Sequence, residues 1–390
     1  MIEMKMKTMK TAATVLTGLM IAACSSDNEA NFDSAQKVTE AQLDVVVDNY
    51  VSEVVEPTYA LLRTETAGLD AAVRAVSQDP TQEHMDAACR AWLAARLPWE
   101  SSEAFLFGPV DAYSLDPKMD TWPLDEEQIT HIIRTGNLNE TEVEGEEGEN
   151  IRGFHTLEYL LFKDGQPRQV QTDADFNTNR STWLAYAVKV SGLLKHDASD
   201  LYDRWFGENS DRYAEKFRAH DSEPSSAANA VASYIIDYCC DIANEVGSAK
   251  IGDPYHQYNS PTGNVEENHK RGLYAVESWY SWHSIDDYQN NIRSIRYCYA
   301  GGRYDGTDAY NRNSASLSAL VRSVDPTADA RIQSLIEGAI DAIGHMNAPF
   351  RSHLEAAEGD NAAKIQAAME ACNNLEEELL KLKTILGISY

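Results

Sequence analysis

Basic residues are scarce in this chain: 33 lysines and arginines face 62 aspartates and glutamates, a formal net charge of -29 over 390 residues. A field of that sign repels phosphate backbones and anionic lipid and favours cations, so no nucleic-acid partner is expected. Cysteine is also sparse, with six in all and no Cys-x-x-Cys pair, which excludes a thiolate zinc site. Also missing are a His-Glu-x-x-His helix, a Gly-x-Ser-x-Gly elbow, a P-loop and a dinucleotide fingerprint, so the commonest hydrolase, NTPase and oxidoreductase readings fall away. Strict apolar/polar alternation is nearly absent, and sheet is not expected.

The one continuous apolar run spans Ala12–Ala23, behind Lys5, Lys7 and Lys10. It is too short to span a bilayer and reads as a cleaved export signal. Ile21-Ala22-Ala23 ahead of Cys24 resembles the bacterial lipobox, which implies cleavage before Cys24 and lipidation of that cysteine. The expected organisation begins with a lipoprotein signal peptide over 1–23 and a polar, flexible tether over 24–36, its Ser25-Ser26-Asp27-Asn28-Glu29 faintly resembling the export tags of surface lipoproteins. The remaining cysteines, Cys89, Cys239, Cys240, Cys298 and Cys372, are odd in number in a chain large enough to do without staples, so buried free thiols are expected.

Most of the rest reads at helical period, and the fold class is all-α, with two packed helical bundles over 37–222 and 223–390. A helix is expected over 39–76, interrupted near Pro57. Asp79 should cap the next, running to about Phe107 with Pro80 at its first position. Residues 108–124 read as a long loop, Glu140–Glu149 as a solvated acidic one. Asp125 with Gln128 forms a capping box for a short helix to Arg134. Further helices fit 151–163, 176–195, 199–218 and 226–247, then, after a break at Gly252-Asp253-Pro254, 266–282, 285–299, 308–323, 327–358 and 361–385. Asp325 and Pro326 repeat the cap-plus-proline start.

The segment from Ile151 to Phe162 is apolar nearly all round and should be buried, carrying His155 and Glu158 three apart on one face. A buried carboxylate costs several kcal/mol unless paired, on the order of the effective desolvation penalty of an ion, so Glu158 demands a partner: a cation, Arg152 or a side chain from another helix. From spacing alone, a hydrogen-bonded core histidine is the commoner fate of such a residue. Glu100 and Glu103 also share a helix face, with Arg96 one turn before Glu100; a surface ion pair is the plain reading there. Ser284 with Asp287 has the spacing of a helix cap. His283 and the aromatics Trp279, Tyr280, Trp282 and Tyr288 are a candidate partner and platform.

With its neighbours, Gly153-Phe154-His155-Thr156-Leu157-Glu158-Tyr159-Leu160-Leu161-Phe162 resembles the Gly-x-His-x-x-Glu signature of the imelysin family. Trp99-Glu100-Ser101-Ser102-Glu103-Ala104-Phe105-Leu106-Phe107-Gly108-Pro109 and Asp116-Pro117 with Asp120, Trp122 and Pro123 are similar to the family too, so the likeness covers roughly 92–162 and thins over the second half. It implies a helical envelope protein of two bundles, related both to a metallopeptidase and to periplasmic iron-uptake components.

A zinc peptidase wants three protein ligands and a base, and with His155, Glu158 and an acid such as Glu103 or Glu100 as ligands no base is left over. Binding is therefore favoured over proteolysis: a lipid-anchored outer-membrane protein that takes a metal ion or metal complex for uptake. Iron is the favoured metal and zinc the alternative, with His155, Glu158, Glu103 and Glu100 as ligands. Gly153 would allow close helix approach, and Arg96, Asp120, Trp122 and His283 would lie near the site. Envelope protein partners are compatible with this reading. The rivals are a zinc metallopeptidase and a surface module that binds a peptide, glycan or protein and keeps His155 and Glu158 as a core pair.

Overall fold

In the computed structural model, residues 38–138, 143, 145–208, 211–221 and 223–388 are described. The signal peptide, Cys24, the tether, Glu140–Thr141 and Glu142, Glu144 and Ser222 at the expected bundle boundary lie outside the described residues. Thr39 opens the first helix with a full capping box, its hydroxyl accepting from the Gln42 amide while the Gln42 side chain accepts from the Thr39 amide. The helix then runs through Pro57 without a break. A π-helical stretch over Val51–Val55 widens the turn just ahead of the proline, so that the ring is accommodated and Glu56–Gln78 continues.

Helix Gln82–Glu100 is capped by Thr81 and not by Asp79: the Thr81 hydroxyl takes the His84 amide at 3.2 Å. It is also shorter than expected, because Ser101 and Ser102 turn their hydroxyls back onto Leu97 and Trp99 carbonyls and a 3-10 turn, Glu103–Phe105, follows. The stretch 108–124 holds two short helices, Pro109–Ala112 and Leu115–Asp120, where a loop was expected. Asp125 caps Glu126–Thr135 as its spacing indicates, at 2.9 Å from the Gln128 amide, and Asp325 caps Pro326–Gly344.

In the second half, Gly252-Asp253-Pro254 does not interrupt the chain. Two π-helical stretches, Ala230–Ile236 and Glu245–Gly252, carry one helical rod from Ala227 to Tyr258. Helix Val265–Tyr274 ends earlier than expected, and 275–283 turns back into the molecule ahead of Ser284–Ala300. The expected 327–358 helix splits at Gly344 and restarts as Phe350–Glu355 after Pro349. A two-residue hairpin, Phe162–Lys163 with Gln166–Pro167, is the only sheet among the described residues.

Packing follows the apolar faces. Glu56–Gln78, Gln82–Glu100, Gly153–Leu161 and Arg180–Phe206 form one group, with Trp92, Trp99, Phe154, Tyr186 and Trp205 inside it. Asp237–Asn244, Ser284–Ala300, Pro326–Gly344 and Asp360–Leu380 form the other. Ser284–Ala300 also lies along Gln82–Glu100 and the 3-10 turn that follows, so that one helix face of each group is shared. Glu40–Tyr50 crosses to Ala227–Asn229 and Leu317–Val324. The described residues belong to one compact unit, and the five cysteines among them are buried free thiols.

Candidate metal centre

The expected neighbourhood of the segments near 100 and 155 is present. The Trp92 indole on Gln82–Glu100 donates to the Phe154 carbonyl at 2.9 Å, and the Phe154 ring lies against Trp92 and Trp99. Gly153 starts its helix at φ +82°, and a Cβ there would stand 2.3 Å from the Met119 carbonyl oxygen. Only glycine permits this approach, which seats the Gly153–Leu161 helix against Leu115–Asp120 and brings Asp120 beside His155.

His155 and Glu158 are fully buried. The imidazole Nδ1 donates to Glu158 Oε2 at 3.0 Å, while Nε2 faces Asp120 Oδ1 at 3.3 Å and Arg96 Nη2 at 3.4 Å. The other Glu158 oxygen accepts from the Tyr280 amide (3.0 Å), the Ser281 amide (2.8 Å) and the Ser281 hydroxyl (2.7 Å). The partner that burial demands is therefore this turn of the second half together with His155, whereas Arg152 pairs with Asp197. Trp122 closes the site from outside, its ring edge-on to His155 at 5.0 Å and its indole N–H on the Tyr274 carbonyl.

Arg96, also fully buried, is the cation at the centre of three carboxylates. Its guanidinium pairs with Asp120, lies 2.7 Å from Glu100 Oε1 and reaches Asp287 Oδ2 at 3.3 Å. The plain reading of Arg96 and Glu100 as a surface pair is overturned, because Ser284–Ala300 covers them. Asn291 on that helix donates to Glu100 Oε2 at 2.6 Å. Asp287 is likewise no helix cap. It accepts from Arg96 and from the Ser278 hydroxyl, and its Oδ1 is left without a hydrogen-bond partner. Its place in the centre was hidden in the sequence, since it arises from a contact 191 positions away. His283 reaches the centre only at its edge, with Nε2 4.0 Å from Asp287 Oδ1 and Nδ1 on Asp286.

Glu100, Glu103 and Asp120 each offer a carboxylate oxygen within 4.8 Å of the other two. Metal–oxygen bonds of about 2.1–2.4 Å require ligand spans of roughly 3–4.5 Å, which this trio meets with small side-chain movement. Glu103 and Asp120 line a cavity of about 260 Å³, with the fully buried Glu100 behind them; its other lining includes Asp116, Asp241, Glu245 and Glu277, with Lys250 as its single basic group. Lys250 bonds Glu277 at 3.1 Å; although burial works against its charge, Glu277, Glu103 and Glu100 hold it well above the usual lysine range. The sequence reading missed Lys250 and Glu277; a lone lysine between Gly247 and Gly252 on an otherwise apolar stretch was the available signal.

The acids respond to burial in opposite ways. Burial pushes Glu100 up to about 8, against the pull of Arg96, and raises Glu103 well above the usual carboxylate range. Asp120 is equally desolvated, yet the Arg96 and His155 charges hold it below that range. The arrangement is an oxygen-rich pocket with more acid than base, in which an added cation would favour the ionised form of Glu100 and Glu103. These donors suit a hard or borderline cation, and the pocket has no thiolate to favour a soft one.

A two-bundle helical protein with a buried Gly-x-His-x-x-Glu helix facing an acidic pocket is the class that fold and site define. A family model described as imelysin matches residues 55–382, and the chain belongs to the imelysin family. It is 27% identical over 342 residues to "Iron-regulated protein A" of Synechococcus elongatus, covering 86% of this chain and 85% of the relative. The crystal structure of an iron-regulated protein A precursor from Parabacteroides distasonis is 37% identical and superposes with a TM-score of 0.78 over 90% of this chain and 97% of that one. An imelysin-like protein from Psychrobacter arcticum shares the fold, with a TM-score of 0.64 at 16% identity over 90% of this chain and 97% of that one.

Proposed function

We propose that this imelysin-family protein binds iron for uptake at the acidic pocket, with Glu100, Glu103 and Asp120 supplying oxygen ligands. The observation that carries the reading is the convergence of those three carboxylates, two of which, Glu103 and Asp120, line a cavity that holds a single lysine. His155 would act behind Asp120, its imidazole 3.3 Å away orienting the carboxylate, and Glu158 in turn orients His155. The relatives named for iron regulation support the choice of metal. Anchoring through Cys24 to the outer membrane of the cell envelope completes the proposal, and places the pocket where a captured ion or its complex can pass to an envelope partner.

Cleavage of peptides is not part of this reading. His155 and Glu158 bond each other and Glu158 accepts from the 280–281 turn, an arrangement that supports an orienting role for the pair in this reading. The test is metal content by mass spectrometry after anaerobic loading with iron(II), and separately with zinc, for the wild type and Glu103→Gln. Stoichiometric iron that is lost in the still-folded variant supports the proposal. A wild type that stays empty, or a Glu103→Gln protein that keeps its iron, overturns it.

A further inference from the structure

Helix Ser284–Ala300 turns one face, with Asp287 and Asn291, to the acidic centre, and another to a separate cavity of about 480 Å³. That second cavity is lined by Arg293, Arg296 and Arg303, and its only carboxylate lining is Asp305. In a chain of net charge -29, three guanidiniums around one space are an exception that the overall composition does not supply.

Their pairing shows what is left over. Arg296 is buried and spoken for, its two terminal nitrogens on Asp305 and on Glu337, although its Nε has no partner. Arg293 bonds only the Asn290 amide oxygen, at 2.7 Å, and Arg303 bonds the Thr58 hydroxyl, at 2.9 Å, and lies over the Tyr297 ring. Among the described residues neither is within ion-pair distance of a carboxylate. Desolvation lowers Arg303 from the usual arginine range and Tyr297 and Asp305 offset this only in part, so an anion beside it would relieve the remainder. Beside Asn290 and Gly306, the lining also offers apolar surface from Ile340, the Tyr297 ring and Leu97, which is 42% exposed.

We propose that this cavity binds a small organic carboxylate, with the oxyanion between Arg293 and Arg303 and the hydrocarbon part against Leu97 and Ile340. Planar guanidiniums match a carboxylate through paired N–H donors, and the adjoining leucine and isoleucine offer the apolar end a place out of water. The site is distinct from the acidic pocket and takes a ligand of opposite charge.

The experiment is isothermal titration of the purified full-length protein with hexanoate, acetate and inorganic phosphate, with the melting temperature recorded for each variant. Hexanoate should bind more tightly than acetate or phosphate. Arg293→Ala, which gives up one hydrogen bond to Asn290, and Arg303→Gln should each weaken it by about tenfold, the usual scale for a lost charge-assisted hydrogen bond. Leu97→Asn should narrow the gap between hexanoate and acetate. Arg312→Ala, an arginine paired with Asp308 outside the cavity, should leave affinity unchanged. No hexanoate binding up to roughly 20 mM overturns the proposal. So does undiminished binding in both the Arg293 and Arg303 variants, and phosphate binding without hexanoate binding overturns the assigned ligand class.

Discussion

Replacing Glu158 by alanine asks whether this residue of the signature holds the two helical groups together or serves a bound ion. Four donors converge on its carboxylate: His155 Nδ1 at 3.0 Å, the Tyr280 and Ser281 amides at 3.0 and 2.8 Å, and the Ser281 hydroxyl at 2.7 Å. The hydroxyl can turn elsewhere, but the three N–H groups cannot. A hydrogen bond to a charged group is worth about 1.5–3 kcal/mol and an orphaned buried donor about 1–3 kcal/mol, offset in part by the relief of no longer burying a charge. The expected net cost is about 3–5 kcal/mol, a large share of the stability of an ordinary domain. Glu158→Gln keeps an acceptor for the amides and sacrifices the His155 bond, so it should cost about 2 kcal/mol. Urea denaturation of the metal-free protein at pH 7, followed by circular dichroism, reads both. If the alanine variant unfolds within about 1 kcal/mol of the wild type, or the two variants cost the same, the carboxylate is no latch and the reasoning fails.

Gly153→Ala should destabilise by about 3 kcal/mol or more, since a Cβ would meet the Met119 carbonyl at 2.3 Å in a backbone conformation that side chains disfavour; thermal melts check it. The raised Glu100 carboxyl gives a pH prediction. Because the folded protein holds that proton up to about pH 8 while the unfolded chain releases it near 4.5, stability should fall as pH rises between those values, and Glu100→Gln should flatten the slope in chemical denaturation. Below about 4.5 both states are protonated and the variant should behave like the wild type in this respect. Lys250→Met should destabilise the metal-free protein by leaving Glu277 and Glu245 without their cation, and iron(II) should restore more stability to it than to the wild type; melting with and without metal measures the difference.

Helical content was legible because apolar spacing and caps such as Asp125 with Gln128 and Asp325 with Pro326 are local signals. Prolines misled where the helix had a way round them: Pro57 and Pro254 sit beside π-helical stretches, which spacing alone does not announce. At the centre, the sequence brought forward Arg96, Glu100, Glu103, Asp120, Trp122 and His155, all of which meet there. It did not disclose that Glu158 faces a turn 122 and 123 positions away, nor that Asp287 answers Arg96. Both depend on how 275–283 folds back after Tyr274, and a chain reversal of that kind leaves no periodic trace.

The backbone amides of Tyr280 and Ser281 are donors that any residue other than proline could provide at those positions, so the second half can vary its side chains while keeping its grip on Glu158. His155 and Glu158 on the Gly153–Leu161 helix have no such freedom, because their side chains make the contacts. A signature held in place this way can persist where the neighbouring pocket differs, and its presence in a distant sequence then testifies to ancestry of shape before it testifies to function.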